Sequence, residues 1–344
     1  MNTRFETVSL PLDVPFEIAR GTTETAENVI VEIEHDGEIG YGAAAPSRRY
    51  GETTATVEGI LPELLDVVET VGDPHARRTI ADRMRTVTRE NPAAKAAVDI
   101  ALWDLVGKLL SQPVYRLLGC SAAGDDRPPT SFTIGIDDTE TMVERAREAA
   151  AAEYPVLKLK LGTDRDIEIV SAIRKAVPEA ILRVDANEAW TPKEAVEKCR
   201  KLDSYGVEFV EQPVGADDPK ALRYVYERSP LPIAADESCR TPADVPAIAD
   251  RCDIANLKLM KTGGLTPAVE LIHAARAHGL DVMCGCMIET NASIAAATHL
   301  LPLLDYADLD GSLLLESDPY AGVPVSAGRF EIENIDRGTG ATLR

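Results

Sequence analysis

Two textures of hydrophobic and polar positions divide the chain. In the first, Val29, Val31 and Ile33 alternate with Ile30, Glu32 and Glu34, which predicts a half-exposed strand. Asp36-Gly37 supplies a hairpin turn, and Ile39 to Gly42 returns from it. A helical stretch follows from about Glu52 to Val71. A second begins at Asn91-Pro92, a cap residue with proline at the first helical position. Its apolar residues Ala94, Val98, Ala101, Leu102, Leu105 and Leu109 recur at helical spacing. Strands followed by helices make residues 1–125 an α+β unit.

From about Thr130 the second texture begins. The β-rich runs SFTIGI, VLKLKL, ILRVDAN, EFVEQP, PIAADES, ANLKLMK, LDVMCGC and LLDYADLD are separated by seven helix-like intervals. Alternating βα units predict a parallel sheet, and eight strands over residues 126–310 predict closure into an α/β barrel. An open doubly wound sheet would want a glycine-rich phosphate loop after its first strand, and neither G-x-G-x-x-G nor G-x-x-x-x-G-K-[ST] occurs. Residues 311–344 hold no further complete βα unit and are expected to return to the N-terminal domain.

Charge changes the picture next. Among 344 residues, 57 acidic side chains stand against 36 basic ones, a formal net charge of −21. That disfavours nucleic acid and anionic membranes, which need basic patches. The acidity is spread along the chain rather than held in a tail, so a hydrated, acidic, halophilic surface is expected. No apolar run approaches the roughly 18 residues that span a bilayer, and the N-terminus lacks a basic-then-apolar signal pattern. The expected location is cytoplasmic. The six cysteines form no C-x-x-C pair and read as reduced, buried thiols.

The candidate chemistry sits at the strand ends. Lys160, Asp185, Glu211, Asp236 and Lys258 fall in five successive runs, 25, 26, 25 and 22 residues apart. Each step is about one βα repeat, so all five should converge on the mouth formed by the strands' C-terminal ends. Three carboxylates in a partly dry site repel one another unless a cation compensates. All-oxygen ligation suits Mg²⁺, with Mn²⁺ as the substitute, and zinc is disfavoured because no histidine joins the cluster. The five histidines read as surface or packing residues. Lys160 and Lys258 flank the acids on opposite sides. Lys158 shares a strand face with Lys160, and two like charges held close should depress each other's pKa, helping to make a base.

K-L-K at 158–160, V-D-A-N-E-A-W at 184–190, E-Q-P at 211–213, A-D-E-S at 235–238 and N-L-K-L-M-K-T-G-G at 256–264 resemble the motifs of the enolase superfamily, muconate-lactonizing subgroup. I-A-R-G at 18–21, R-Y-G-E at 49–52 and A-L-W-D-L at 101–105 extend the likeness over nearly the whole chain. D-L-D-G at 308–311 is similar to the segment with which dipeptide epimerases hold a substrate's free α-ammonium group. The resemblance implies a modified (β/α)₇β barrel of the TIM type under an N-terminal α+β capping domain with a mobile specificity loop. It also implies an isomerase. Asp185, Glu211 and Asp236 would hold Mg²⁺, which binds the substrate carboxylate. One of Lys160 and Lys258 removes the α-proton of the C-terminal residue of an L-Ala-L-Glu-like dipeptide. The other returns a proton to the opposite face of the enediolate. The pairing of Lys plus Mg²⁺ in this superfamily is one of the general patterns of pKa-tuned sites. Asp308 and Asp310, sharing a strand face, would meet the ammonium group. Arg20, in the segment like the specificity loop, and Arg49 could pair with an acidic substrate side chain, with Lys158 in support.

Other chemistries of the same subgroup remain open: o-succinylbenzoate synthesis, N-acylamino acid racemisation and muconate cycloisomerisation. So does a barrel kept only for binding. The expected partner is a small-molecule dipeptide, with no nucleic acid and no membrane. A homo-oligomer is left open, and so is the identity of the dipeptide.

Overall fold

The chain begins with a long antiparallel hairpin, β1 (Asn2–Ile18) and β2 (Gly21–His35). β3 (Glu38–Ala44) pairs with β2 through the turn at Asp36-Gly37, where both residues adopt positive φ, 50° and 81°. That is the backbone a two-residue hairpin turn demands. The computed structural model of the protein describes residues 1–124 and 127–344. The domain boundary expected at 125/126 lies outside the described residues.

The strand at 29–34 differs from its expected half-exposed form. Residues 28–33 are buried on both faces. Val29, Val31 and Ile33 join the main core, while Ile30 and Ala43 pack against Ala292 and Tyr320 from far along the chain. Glu32 survives burial because Arg4 donates to it from β1. The polar alternation there marked a paired charge, not solvent.

Four helices follow: α1 (Thr54–Val71), α2 (Arg77–Val87), α3 (Pro92–Leu109) and α4 (Val114–Leu117). α1 starts with a capping box between Thr53 and Thr56. The expected cap of α3 is corrected. Asn91 is left-handed (φ 57°) and makes no side-chain cap. The buried carboxylate of Glu52, placed by sequence at the start of α1, instead accepts from Ala93 N at 3.1 Å. α3 is buried along almost its whole circumference, more than its apolar stripe implies. Its buried acids tie three regions together. Asp99 accepts from Thr266 N at 2.9 Å in the barrel, and Asp104 accepts from Tyr41 N at 2.9 Å in β3 and Thr339 N at 2.8 Å near the C-terminus.

The barrel strands are β4 (Phe132–Ile134), β5 (Val156–Lys160), β6 (Ile181–Asp185), β7 (Val207–Glu211), β8 (Ile233–Ala235), β9 (Ile254–Lys258), β10 (Asp281–Gly285) and β11 (Tyr306–Ala307). They pair in sequence order, all parallel. A bridge between Thr130 and Ala307 joins the first to the last and closes the cylinder. The connecting helices are α5 (Thr139–Ala151), α6 (Asp166–Ala176), α7 (Pro192–Asp203), α8 (Pro219–Tyr226), the short α9 (Val245–Ile248), α10 (Leu259–Thr262) with α11 (Leu265–Ala277), and α12 (Asn291–Thr298). The C-terminal segment returns to the first domain as expected. Glu316 N donates to Pro11 O, and Val114 N to Gly338 O.

The residues after Arg20, Gly21 to Thr25, form the start of β2. Phe16 pairs with Thr23, Glu17 with Thr22 and Ile18 with Gly21. Threonines favour such extended pairing. The hairpin tip docks on the barrel mouth through Ile136 N donating to Glu17 O at 2.8 Å. Of the histidines, His299 is wholly buried; its Nδ1 accepts from Tyr115 N, and burial lowers its pKa to about 4. Four of the six free cysteines are buried, while Cys120 and Cys286 are half-buried, which corrects the expectation that all are inside.

β3 lies so close to α3 that a Cβ on Gly42 would stand 2.1 Å from Ala97 O. Gly42→Ala is therefore expected to destabilise by about 3 kcal/mol or more, read as a lower midpoint in urea. Gly59→Ala on the exposed face of α1, where a Cβ meets nothing within 4 Å, should instead stabilise by about 1 kcal/mol. Equal midpoints for the two variants would refute this account of the β3–α3 contact.

Candidate active site

The five in-phase residues meet at one end of the barrel. Lys160, Asp185, Glu211 and Lys258 are the last residues of β5, β6, β7 and β9, and Asp236 directly follows β8. Register places Lys160 beside Asp185 and Asp185 beside Glu211. All five are buried. One carboxylate oxygen from each of Asp185, Glu211 and Asp236 lies within 4.8 Å of the others.

Neighbouring groups hold each acid in place. Asn187 donates to both oxygens of Asp185, and Asn256 Nδ2 donates to Glu211 Oε1 at 2.8 Å. The Gln212 side chain accepts from Asp236 N and Ser238 N, fixing the turn that carries Asp236. Lys261, one helical turn beyond β9, donates to Asp236 Oδ1 at 2.5 Å and to Asp236 O and Asn256 O. Lys160 Nζ meets Asp185 Oδ2 and Lys258 Nζ meets Asp236 Oδ2, each at 2.7 Å. The two lysines thus touch different outer members of the triad.

The electrostatics fit a cation. Burial, then Asp185 and Asp236, raise the Glu211 carboxyl to about 7 despite Lys158. Burial works against ionisation of Asp185, but Lys160 and Lys158 outweigh it and hold its carboxyl well below the usual range. Asp236 is likewise held low against burial by Lys258 and Lys261. Glu211 Oε2 is buried with no hydrogen-bond partner among the described residues, although Lys158 Nζ lies 2.8 Å away. Three buried carboxylates with an oxygen each within 4.8 Å of the others form the all-oxygen donor set that a divalent ion such as Mg²⁺ would take up.

Lys158 departs from the depressed pKa expected of it. Its ammonium contacts Asp308 at 2.6 Å, Glu211 at 2.8 Å and Asp185 at 3.2 Å. Burial favours the neutral amine, but these carboxylates, Asp308 first, raise its pKa well above the ordinary lysine value. Mutual depression by Lys160 does not govern a lysine surrounded by three acids.

Asp308 and Asp310 also converge, by a different route from the one expected. β11 ends at Ala307, so both aspartates lie beyond it and share no strand face. They meet because β4 gathers them. Ser131 Oγ donates to Asp308 Oδ1, Thr133 N donates to Asp310 Oδ2 at 2.6 Å, and Thr133 Oγ1 lies 3.2 Å from both. Gly311 permits the close turn, since a Cβ there would stand 2.0 Å from Met287 O. Burial opposes ionisation of Asp308, but Lys158 holds its pKa low, whereas burial and Asp308 raise Asp310 to about 7.

A cavity of about 780 Å³ opens above these groups, lined by Lys160, Lys258, Asp308 and Asp310 from the barrel and by Arg20 and Arg49 from the cap. Neither arginine is free. Arg49 forks onto Glu188 with contacts of 2.6 and 2.7 Å, and Arg20 contacts Glu188 and Glu237. Both line the cavity, and here their charges are met by protein carboxylates. Sequence reasoning missed Lys261, Glu188, Glu237 and Thr133. The first three lie inside quoted motifs, so their positions were visible but not their partners. Thr133 carried no signal, because nothing in its local pattern points to residues 308 and 310.

Residues 141–344 match the enolase C-terminal domain-like family, and residues 1–119 match the N-terminal domain of mandelate racemase and muconate lactonizing enzymes. The chain is 37% identical over 336 residues to L-Ala-D/L-Glu epimerase of Bacteroides thetaiotaomicron, covering 97% of this chain and 86% of that one. It is 40% identical over 325 residues to a hydrophobic dipeptide epimerase of Enterococcus faecalis, covering 91% and 90%. The crystal structure of a dipeptide epimerase from E. faecalis with Mg and L-Leu-L-Tyr superposes with a TM-score of 0.90 at 36% identity, covering 99% of this chain and 98% of that one. On the barrel, the cap and these matches, the chain belongs to the enolase superfamily, with the two-domain organisation of the mandelate racemase and muconate lactonizing enzymes.

Proposed function

We propose that the protein is a Mg²⁺-dependent dipeptide epimerase that inverts the α-carbon of the C-terminal residue of an L,L-dipeptide. The observation that carries this reading is the pair of charged sites on one cavity. Lys160 and Lys258 contact the outer acids of the carboxylate triad, and the Asp308–Asp310 pair lines the same cavity. A zwitterionic dipeptide has a carboxylate for the first and an ammonium group for the second. Relatives that act on dipeptides support the same reading.

Asp185, Glu211 and Asp236 would hold the ion, with Mn²⁺ as its substitute. When bound, it supplies positive charge for the substrate carboxylate while the α-carbon is deprotonated. The chain's own groups do the proton work. One of Lys160 and Lys258 accepts the α-proton, and the other delivers a proton from the opposite side, giving 1,1-proton transfer through an enediolate. Asn187, Asn256 and Lys261 keep the acids oriented. Asp308 and Asp310 orient the substrate by its ammonium, with Lys158 linking them to the triad. The C-terminal side chain is Glu-like or hydrophobic on the evidence of the relatives, whose names cover both.

We place the protein in the cytoplasm of a halophile. No helix among the described residues is long and apolar enough to cross a membrane, the cysteines are free, and the net charge of −21 suits a surface hydrated in concentrated salt.

Three outcomes are expected. In D₂O with Mg²⁺, mass spectrometry of an L,L-dipeptide library shows one deuteron entering the C-terminal residue. EDTA abolishes the exchange and Mg²⁺ restores it. Lys160→Ala and Lys258→Ala each lower epimerisation by about 10²–10⁴-fold, and full turnover by either variant would remove that lysine from the mechanism. Second, Asp308→Asn with Asp310→Asn abolishes dipeptide turnover. If the double variant keeps it, the substrate ammonium is bound elsewhere; a wild-type enzyme that prefers N-acylated substrates favours racemisation of acylamino acids instead. Third, the unfolding midpoint rises between low and molar KCl, and a flat profile argues against a halophilic protein.

A further inference from the structure

We infer that Glu188 is the latch of the active site, a positioning residue that pins two separate cap segments to the barrel at the cavity rim. The inference deepens the dipeptide reading, since it concerns how that cavity closes. Four donors converge on this one carboxylate. Oε1 accepts from Arg49 Nη2 at 2.7 Å and from Ala216 N at 2.8 Å. Oε2 accepts from Arg49 Nε at 2.6 Å and from Arg20 Nη1 at 3.2 Å.

These donors come from three places. Arg20 is at the tip of the β1–β2 hairpin, Arg49 is in the turn after β3, and Ala216 is in the loop after β7. Glu188 itself follows β6, three residues beyond Asp185. The turn that presents it is costly. Asn187 and Glu188 both have positive φ, 44° and 70°, a conformation that non-glycine residues rarely adopt. It is held by Glu188 N donating to Gln212 O at 2.9 Å. The same turn sends Asn187 Oδ1 and Nδ2 toward the site, where Nδ2 donates to Asp185, and its carbonyl toward Arg20 at 3.0 Å. One short segment thus orders a metal-site acid and holds the cap.

The side chain of Glu188 is 12% exposed, against 30% for Arg49 and 34% for Arg20. The acid is therefore the inner partner and the arginines reach down to it. The fork from Arg49 is bidentate, the geometry that adds orientation as well as attraction. Arg20 has a second anchor in Glu237, 2.7 Å away and fully enclosed. Around the tip the surfaces are matched closely: a Cβ on Gly162, just after β5, would lie 2.8 Å from the Ala19 Cβ. With their charges met by Glu188 and Glu237, the arginines act on substrate through the position of the cap.

The test compares wild type, Glu188→Gln, Arg49→Gln and the double variant, all with Mg²⁺. Amide exchange needs no substrate. In Glu188→Gln, amides of residues 16–25 and 48–52 are expected to exchange about tenfold faster or more, and in Arg49→Gln those of 48–52, with the barrel strands unchanged. KM should rise by a similar factor for L-Ala-L-Glu and L-Ala-L-Leu alike, with kcat falling less, and the double variant should be little worse than either single one. Unchanged exchange at 48–52 in either variant overturns the latch. A KM rise in Arg49→Gln confined to L-Ala-L-Glu also overturns it, because the arginine would then be reading the substrate side chain. If Glu188→Gln misfolds, Arg49→Gln decides alone. Absence of any dipeptide turnover by the wild type would refute the dipeptide reading while the exchange data still decide the latch.

Discussion

The structure is organised around negative charge that must be buried. Among the described residues, thirteen acidic side chains are buried but only five basic ones. At the barrel mouth, Asp185, Glu211, Asp236, Glu237, Asp308 and Asp310 face Lys158, Lys160, Lys258 and Lys261, all buried. In a medium of low polarity each unpaired charge is expensive, and a missing partner costs more than a pair gains. Nearly every detail of the mouth answers that constraint. The lysines sit between acids, amides cover remaining oxygens, and Glu211 and Asp310, where burial and neighbouring acids prevail, rise to about 7. A divalent ion would relieve the first of these, and a substrate ammonium the second.

The same constraint explains why the cap is built as it is. Charges in the mouth interact strongly only while water is kept out. The hairpin tip and the turn after β3 provide that cover, and α3 fixes their base by tying the cap sheet to the barrel through Asp99 and Asp104. The close approach of β3 to α3, which only glycine at positions 40 and 42 allows, leaves the cap little freedom at its root. At the tip, polar contacts from Arg20 and Glu17 hold the cap to the barrel instead.

Much of this was legible in sequence. The barrel could be read because hydrophobic runs alternate with helices at a steady period, and one charged residue recurs at each strand end from Lys160 to Lys258. Spacing carries that information directly. It fails where a side chain's fate depends on a distant segment. Ile30 looked half-exposed because the chain near Tyr320 and Ala292, which covers it, is hundreds of residues away. Glu52 looked like the start of one helix and caps another. Arg20 and Arg49 were placed correctly at the cavity, but their partners Glu188 and Glu237 lie on two different barrel loops, so their charges looked available. Lys158 looked like a neighbour to Lys160 alone, whereas strand curvature delivers three acids to it.

On the dipeptide reading, Lys158 also explains why length should matter more than side-chain identity. Its single ammonium touches Asp308 on one side and Glu211 and Asp185 on the other. It therefore ties an acid of the site for a substrate's positive end directly to the triad that meets its negative end. A peptide's two charged ends are set apart by its backbone, and each added residue moves them by up to roughly 3.3–3.6 Å. That shift is larger than a hydrogen bond can stretch. A site whose acidic pair and triad are tied together in this way should favour a dipeptide over longer peptides. A distance between opposite charges held in this way is read before any side chain is.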